Sequence, residues 1–485
     1  MDVSPDTVVP LIINGREETT AETFDVISPY SGKVCWKAAS ATPGDAVRAV
    51  EAAEAAFQAW SRTKPTARRD ILLKAADILD SRLKENSAMM RTEMGADVPA
   101  TEFFINPMAI RMLRDVAGRI TSICGSVPVV EEEGQSAIVF KEPMGVILGI
   151  VPWNAPHVFG IRAAASALAG GNTTVLKSSE LTPRCYWALG KAFEEAGLPP
   201  GCLNVVCCKP QDAADVVNTM IEHPAVRKVN FTGSTAVARK IARVCGQNLK
   251  PCLMELGGKN SAVVCADADL KVAVQEVLVG TLANSGQICM ATDRIIVHNS
   301  IAPAFTAAMK DALTAIGQEA ALPPTLVSAA SKARVQKVIS DALSSGAELI
   351  HGSVDTNGQD PQENGTPVHM APVIIGKPTE DMSIWQDELF APLAAIMAVD
   401  SDDEAVTLAN KTGYGLSAAV FTEDLRKGFA LAKRIESGAV HINSMSVHDE
   451  PVLPHGGVKN SGWGRFNGSM GIEEFLATKT VTWKD

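Results

Sequence analysis

The spacing of apolar residues changes several times along the chain, and each change marks a different kind of element. Short alternating runs, broken by Asn-Gly and Ser-Gly turns, fill residues 11–36 and predict small strands. From residue 43 to residue 60 apolar side chains recur every three or four positions, and this spacing continues over 67–90 and about 100–120. It predicts amphipathic helices after the strands.

The middle of the chain repeats one unit, in which an apolar run is followed by a turn of small residues and a helix. Strands are predicted at 145–153, 173–177, 204–207 and 228–233, and helices at 183–196, 211–222 and 235–247. A second alternation extends from 262 to beyond 420. Strands that alternate with helices of this length need crossover connections, which produce parallel sheets with ligands at the carboxyl ends of the strands. The sequence therefore predicts an α/β fold with two doubly wound units that meet near 255–258.

Two further segments carry a strand pattern outside these units. Residues 127–140 contain two short alternating runs around an acidic glycine turn, which predicts a projecting hairpin. Residues 479–484 alternate as a strand for which the sequence suggests no partner. Because an uncovered strand edge invites pairing with another chain, this tail indicates either a subunit contact or a liability.

Composition favours a reducing setting without nucleic acid or membranes. The formal net charge of −11 on 485 residues would repel phosphate backbones and anionic lipids. The ten cysteines fall at irregular spacings, which match neither a disulfide framework nor a zinc site. No apolar stretch is long enough to span a bilayer, and the first residues lack a targeting pattern. We therefore expect a cytoplasmic protein with no metal, no nucleic-acid partner and no membrane association.

Candidate chemistry centres on Cys289, which follows a Ser-Gly-Gln turn at 285–287 and precedes an apolar strand pattern. A lone cysteine is most often inert packing. Three polar residues change that expectation: Asn154 follows an apolar run, Glu255 precedes two glycines, and Glu388 lies beside an aromatic residue and a proline turn. Each signal alone is weak, because such residues usually serve turns and caps. Their order along the chain makes the combination informative.

Eight short motifs contain these residues or lie between them. They are Val-Pro-Trp-Asn at 151–154, Leu-Lys-Ser-Ser-Glu at 176–180, Asn-Phe-Thr-Gly-Ser-Thr at 230–235, Glu-Leu-Gly-Gly-Lys at 255–259, Gly-Gln-Ile-Cys at 286–289, Asp-Glu-Leu-Phe at 387–390, Tyr-Gly-Leu-Ser at 414–417 and a Pro-His-Gly-Gly segment at 454–462. In this order they resemble the aldehyde dehydrogenase superfamily over nearly the whole chain. Residues 441–457 and Arg162 are most similar to the branch that acts on aromatic aldehydes such as salicylaldehyde, vanillin and benzaldehyde.

The resemblance implies two Rossmann-like domains and a small β bridging element. An NAD-binding domain is expected over 1–121 and 144–254, and a catalytic domain that carries the nucleophilic cysteine over 255–440. The bridging or oligomerisation element is expected over 122–143 and 465–485, so the resemblance implies a homodimer or homotetramer.

The resemblance also implies NAD-dependent oxidation of an aldehyde to its carboxylic acid by covalent catalysis. Cys289 would attack the aldehyde as a thiolate, so the site is expected to lower its pKa below the value of about 8.5 of a free thiol. The Asn154 side chain and the Cys289 backbone N–H would bind the oxyanion of the thiohemiacetal. Glu255 would activate the water that hydrolyses the thioester.

For the cofactor, the resemblance implies NAD in preference to NADP. Lys177 is expected to bind the adenosine ribose hydroxyls, and Glu180 would accept the 2′-OH while repelling a 2′-phosphate. Gly233 and Ser234 open a helix whose N-terminus can face the pyrophosphate. The expected cofactor residues are Val151, Pro152, Trp153, Lys177, Glu180, Gly233, Ser234, Leu256, Glu388 and Phe390.

The substrate side of the site leaves two interpretations open for each residue. Arg162 could pair with a phenolate or a ring hydroxyl of the small-molecule aldehyde, or it could be a structural ion-pair partner. Phe159, Ile288 and Met290 could form an apolar wall around the substrate, or they could belong to the core.

The sequence also bears on functions other than oxidation of aromatic aldehydes. A broad-specificity aliphatic or semialdehyde dehydrogenase is the alternative. Glu255 argues against a CoA-acylating enzyme, which would not need a water-activating carboxylate. The presence of both a nucleophile and a base argues against a non-enzymatic binding or structural role.

Overall fold

The computed structural model describes residues 4–319, 323–353 and 368–484. Its strands are, in chain order, β1 (Val8–Val9), β2 (Leu11–Ile13), β3 (Arg16–Glu18), β4 (Thr23–Ile27), β5 (Val34–Ala39), β6 (Gln135–Pro143), β7 (Val146–Ile150), β8 (Thr173–Lys177), β9 (Leu203–Val206), β10 (Val226–Gly233), β11 (Cys252–Leu256), β12 (Asn260–Val264), β13 (Thr292–His298), β14 (Glu348–His351), β15 (Val373–Gly376), β16 (Leu393–Val399), β17 (Ser417–Phe421), β18 (Ala439–Ile442), β19 (Gly462–Trp463) and β20 (Leu476–Lys484). Each strand predicted in the first repeating unit overlaps one of these strands, and β9 and β10 begin one and two residues earlier than predicted.

Helices connect and cover the strands. They are α1 (Pro43–Trp60), α2 (Pro65–Ser81), α3 (Leu83–Met94), α4 (Asn106–Arg119), α5 (Pro156–Ala169), α6 (Pro183–Ala196), α7 (Ala213–Glu222), α8 (Thr235–Gln247), α9 (Leu270–Leu282), α10 (Ala302–Glu319), α11 (Ala329–Ser344), α12 (Ser383–Gln386), α13 (Asp402–Asn410), α14 (Leu425–Ala432) and α15 (Gly468–Glu473). A π-helix at Pro99–Ile105 leads into α4. The segment predicted as helical over 67–90 is divided into α2 and α3 at Arg82, whose backbone leaves the helical region.

The first large sheet has the order β19-β11-β10-β7-β8-β9-β2-β3. Its five central strands are parallel. From β7 the chain builds outward through β8 and β9, and then returns to the other side of β7 with β10 and β11. The sheet is therefore doubly wound, and its switch point, where ligands bind in such folds, lies between β7 and β10. Every residue of β7 and β8 is buried, as expected for parallel strands covered on both faces.

The second large sheet has the order β14-β15-β16-β13-β12-β17-β18. All its pairs are parallel except β14 with β15. This sheet confirms the second α/β unit that the alternation after residue 262 predicts. Separate apolar cores cover the two faces of each large sheet.

The predicted hairpin at 127–140 is wrong in its first arm. Strand β6 pairs in antiparallel register with the tail strand β20, from Gln135 opposite Lys484 to Pro143 opposite Leu476. Residues 127–134 are not in a strand, and Val129 is fully exposed. A proline and three consecutive glutamates in that stretch favour solvent over a ladder. Residues 479–484, for which the sequence suggests no partner, therefore pair with β6.

The division between the two sheets differs from the predicted boundary at 254 and 255. Strand β11 pairs with β10, so Glu255 lies inside the first sheet, and the second sheet begins with β12 at Asn260. The second sheet also includes all of β18, which extends to Ile442. The domain limits as such stay predictions.

Candidate active site

The chain reaches Cys289 through a left-handed turn. Asn284, Ser285 and Gly286 have φ values of 51°, 59° and 69°. Glycine adopts this conformation without steric cost, and asparagine tolerates it. The turn is also tightly packed, because a Cβ on Gly286 would lie 2.0 Å from the carbonyl oxygen of Ala391. Glycine at this position allows the thiol to sit just before β13, at the amino end of the second sheet.

A cavity of about 260 Å³ lies where the carboxyl ends of β7, β10 and β11 face this turn. It contains all three predicted catalytic residues and most of the predicted cofactor residues. Its lining consists of Pro152, Trp153, Asn154, Phe159, Thr232, Gly233, Ser234, Glu255, Leu256, Gly257, Cys289, Ser331, Glu388 and Phe390. Thr232, Gly257 and Ser331 are additions to the predicted set.

The thiol and the carboxylate face each other directly. Cys289 Sγ donates to Glu255 Oε1 at 3.4 Å. Burial raises the pKa of Cys289 well above its usual value, and the charges of Glu255 and Glu388 raise it further. The expectation that the site lowers this pKa is therefore wrong for this arrangement. The raised pKa favours the neutral thiol, which donates its hydrogen bond to the Glu255 carboxylate.

The same carboxylate contacts a histidine that the sequence analysis did not single out. His455 Nε2 lies 3.1 Å from Glu255 Oε1, and both side chains are buried. The other carboxylate oxygen, Glu255 Oε2, has no hydrogen-bond partner among the described residues. The Cys289, Glu255 and His455 donor atoms lie within 4.8 Å of one another. Sulfur, oxygen and nitrogen at such spacing could also hold a soft divalent cation, and the expected absence of a metal stays a prediction.

Asn154, which follows β7, is hydrogen-bonded to the turn that precedes Cys289. Its Nδ2 donates to the carbonyl oxygen of Gln287 at 2.9 Å, while Asn284 Nδ2 donates to the Asn154 carbonyl at 3.1 Å. A side-chain amide carries two N–H donors, so one remains for an oxyanion on the adjacent Cys289. The geometry fits the predicted role.

The same cavity also has features that suit a dinucleotide. Ser234 caps α8 by accepting the N–H of Val237 at 3.4 Å, and the start of this helix opens into the cavity. A Cβ on Gly257 would lie 2.3 Å from Glu388 Oε2, so glycine there allows the Glu388 carboxylate to lie against the backbone. Burial, followed by the charge of Asp293, raises the pKa of Glu388 to about 8. These residues fit a nicotinamide cofactor.

Three predicted cofactor residues lie outside the lining of this cavity. Val151 is buried behind it, directly after β7. Lys177 Nζ lies 3.9 Å from Glu180 Oε2. This pair follows the carboxyl end of β8, on the side of β7 away from β10, where the adenosine end of an extended dinucleotide would reach.

The match to known proteins covers this whole arrangement. The model of the aldehyde dehydrogenase family matches residues 16–481. The chain belongs to the aldehyde dehydrogenase family.

Named relatives of this dehydrogenase include enzymes for aromatic aldehydes. A vanillin dehydrogenase from Pseudomonas sp. strain HR199 is 40% identical over 98% of this chain and 97% of its own length. The crystal structure of a salicylaldehyde dehydrogenase from Pseudomonas putida G7, complexed with salicylaldehyde, has a TM-score of 0.93 at 33% identity and covers 99% of this chain and 98% of that one. A betaine aldehyde dehydrogenase from Staphylococcus aureus in complex with NAD⁺ has a TM-score of 0.92 at 28% identity, over 98% and 95% of the chains.

The predicted substrate residues of the dehydrogenase divide between cavity and core. Phe159 lines the cavity. Arg162 is buried, pairs with Asp449 and donates from Nε to Asn467 Oδ1 at 3.3 Å, so the structure contains the ion pair rather than a free guanidinium. Ile288 and Met290 do not line the cavity. They pack beside Cys289 in a small apolar cluster with Ala291, Leu416, Met445 and Val447.

Replacing Gly286 by alanine should disrupt the active-site turn. The new Cβ would collide with the Ala391 carbonyl at a residue with positive φ, so we expect a loss of roughly 2 kcal/mol or more in stability together with loss of activity. Thermal unfolding and NADH formation measure both effects. Gly246→Ala in α8 is the matched control, since nothing lies within 4 Å of its Cβ and the change should stabilise the helix slightly. If Gly286→Ala and Gly246→Ala had the same unfolding temperature and the same rate of NADH formation, the role of the turn would be contradicted.

Alkylation of Cys289 by iodoacetamide should require high pH. Because the raised pKa leaves little thiolate at neutral pH, the rate should still be rising with pH above the range of an ordinary thiol. Glu255→Gln removes one of the charges that raise this pKa, so the profile should move to lower pH. Mass spectrometry of the Cys289 peptide gives the rate, and the exposed Cys124 serves as an accessible reference thiol. A profile of Cys289 that does not move in the variant would contradict the electrostatic cause.

Proposed function

We propose that this aldehyde dehydrogenase oxidises aromatic aldehydes of the salicylaldehyde, vanillin and benzaldehyde type, with NAD as the preferred cofactor. The observation that carries the reaction is the pair formed by Cys289 and Glu255, 3.4 Å apart at the inner end of the cavity. The aromatic substrate is supported by the named relatives and by the apolar surroundings of the thiol, which include Phe159 and the cluster of Ile288 and Met290.

The reaction begins with transfer of the thiol proton to Glu255. The thiolate of Cys289 attacks the carbonyl carbon, a C–S bond forms, and the carbonyl oxygen becomes an oxyanion. Asn154 Nδ2 and the Cys289 backbone N–H are proposed to hold that oxygen. Loss of one such donor costs roughly 2.7–4 kcal/mol of barrier, so both groups matter to the rate.

The second half of the reaction returns the free thiol. A bound nicotinamide cofactor supplies the acceptor for the hydride that leaves the thiohemiacetal carbon. Cys289 then carries a thioester. Glu255 first releases the thiol proton to solvent and then takes a proton from water, and the hydroxide adds to the thioester carbon. The C–S bond breaks to release the carboxylic acid, and the proton on Glu255 returns to the sulfur.

The first large sheet is proposed to bind the cofactor and the second to carry the nucleophile. Gly233 and Ser234 at the start of α8 would face the pyrophosphate, and Glu388 with Phe390 would contact the nicotinamide half. Phe390 is fixed by an edge-to-face contact with Trp153, with ring centroids 5.8 Å apart. Lys177 and Glu180 would bind the adenosine ribose. The carboxylate of Glu180 supports NAD over NADP, because it would repel a 2′-phosphate.

A homodimer or homotetramer is proposed from the two-stranded sheet of β6 and β20. Along β20 the side chains of Val481 and Trp483 are 43% and 41% exposed. Alternating apolar side chains on an exposed strand support coverage by another subunit.

A reducing cytoplasmic location is proposed because all ten cysteines are free. Among the described residues, no helix is both long and apolar enough to cross a membrane.

Purified protein should form NADH fastest with ring aldehydes. We expect the kcat/KM of salicylaldehyde, vanillin or benzaldehyde to exceed that of hexanal and succinic semialdehyde by about tenfold or more, which corresponds to about 1.4 kcal/mol of differential binding. Absorbance of NADH across this panel measures it, and Cys289→Ala should be inactive with every aldehyde. Preference for hexanal or succinic semialdehyde would select the alternative function, whereas an active Cys289→Ala would contradict the mechanism.

Glu180→Gln should relax the choice of cofactor. Removing the negative charge while keeping the shape should raise kcat/KM for NADP by about tenfold relative to NAD, since a tenfold change needs only about 1.4 kcal/mol. Initial rates with both cofactors give the ratio. Glu195→Gln, at the far end of α6, is a control that should leave the ratio unchanged. An unchanged ratio in Glu180→Gln would show that this carboxylate does not discriminate.

A further inference from the structure

The Glu255 carboxylate shares one oxygen between two donors. Cys289 Sγ reaches Oε1 at 3.4 Å, and His455 Nε2 reaches the same atom at 3.1 Å. Oε2 has no partner in the described part of the chain. When Cys289 Sγ is acylated, it has no proton to donate. Of the two donors to Glu255 Oε1, only His455 then remains during thioester hydrolysis.

His455 is itself held from several sides. Its backbone pairs with Phe466 through two hydrogen bonds of 2.9 and 2.8 Å. Its second ring nitrogen, Nδ1, faces Asp449 Oδ1 at 3.9 Å. Asp449 in turn pairs with Arg162 and accepts from Asn467 Nδ2 at 3.0 Å. A buried chain of polar contacts therefore runs from α5 to the nucleophile.

We propose that His455 is a positioning residue that fixes Glu255 for hydrolysis of the acyl-enzyme. Its Nε2–H holds Oε1, which leaves Oε2 free to accept the proton of the attacking water. The Asp449 carboxylate, anchored by Arg162, orients the ring from the far side. In this arrangement Arg162 acts on the reaction through Asp449 and His455 rather than by contact with substrate.

The two half-reactions depend on His455 to different degrees. In the free enzyme the thiol also holds Glu255, so formation of the thioester should survive loss of the imidazole. In the acyl-enzyme that second contact is gone, so hydrolysis should slow. The inference rests on the proposed thioester mechanism but does not depend on which aldehyde is oxidised.

Three substitutions separate positioning from packing. His455→Gln can place an amide N–H near the position of Nε2, whereas His455→Asn is polar but too short to reach it, and His455→Leu keeps the volume without a donor. We expect Asn and Leu to lower steady-state kcat at least tenfold and to lower KM with it, so that kcat/KM, which reports the steps up to hydride transfer, changes by less than about threefold. The pre-steady-state burst of NADH should persist in both, and Gln should restore turnover to within about threefold of the parent enzyme.

Hydrolysis of p-nitrophenyl acetate gives the same comparison without any cofactor. Each variant should release one equivalent of nitrophenol rapidly as Cys289 is acylated, and only the Asn and Leu variants should then turn over slowly. Thermal unfolding checks that the variants are folded, and EDTA in every assay excludes inhibition by a bound metal ion. His455 does not position the base if the burst and the steady-state rate are lowered equally. The same conclusion follows if His455→Gln and His455→Asn have equal steady-state rates. If p-nitrophenyl acetate shows the split while no aromatic aldehyde is oxidised, the proposed substrate fails and the role of His455 stands.

Discussion

The active site depends on close contact between one loop and the backbones of two glycines. The loop at 388–391 lies against Gly257, directly after the strand that carries Glu255, and against Gly286, in the turn before Cys289. A Cβ at either position would overlap the loop. Because the loop touches both segments, it fixes the end of β11 relative to the left-handed turn. The separation of the thiol and the carboxylate thus depends on one side-chain contact, between the Glu388 carboxylate and Gly257, and on one backbone contact, between Ala391 and Gly286.

The fold was predictable where burial imposes a local pattern. The parallel strands of the first sheet are covered on both faces, so each appears in the sequence as a short apolar run beside a helix, and the doubly wound architecture follows. Pairing between distant segments leaves no such trace. Residues 135–143 and 476–484 are each plausible strands, but nothing local indicates that they pair with each other. The first arm of the expected hairpin does not form a strand. Apolar and polar side chains alternate there, but the described part of the chain offers no partner strand for residues 127–134.

The predicted catalytic residues were found from a different kind of signal. Asn154 follows an apolar run and Glu255 lies near the end of one, at the carboxyl ends of parallel strands where such a fold gathers functional side chains. Cys289 instead lies in the turn that precedes β13. His455 lies in a glycine-rich loop and meets Glu255 across 200 residues of sequence, so its role could not be inferred from its neighbours. Arg162 was ambiguous in the sequence, because an arginine on a buried helix needs a counter-charge whether or not a ligand provides it. The structure supplies that charge from Asp449.

Electrostatics in the cavity argue against a thiolate that is formed in advance. Burial and two nearby carboxylates all favour the neutral thiol. In the proposed mechanism, Cys289 therefore becomes nucleophilic only as its proton moves to Glu255. The same carboxylate is then needed again for water, which requires an oxygen that is not already satisfied. A buried oxygen without a hydrogen-bond partner, as Glu255 Oε2 is among the residues that the structure describes, costs the folded protein roughly 1–3 kcal/mol. That cost is understandable if the atom is kept free for the water molecule that completes the reaction.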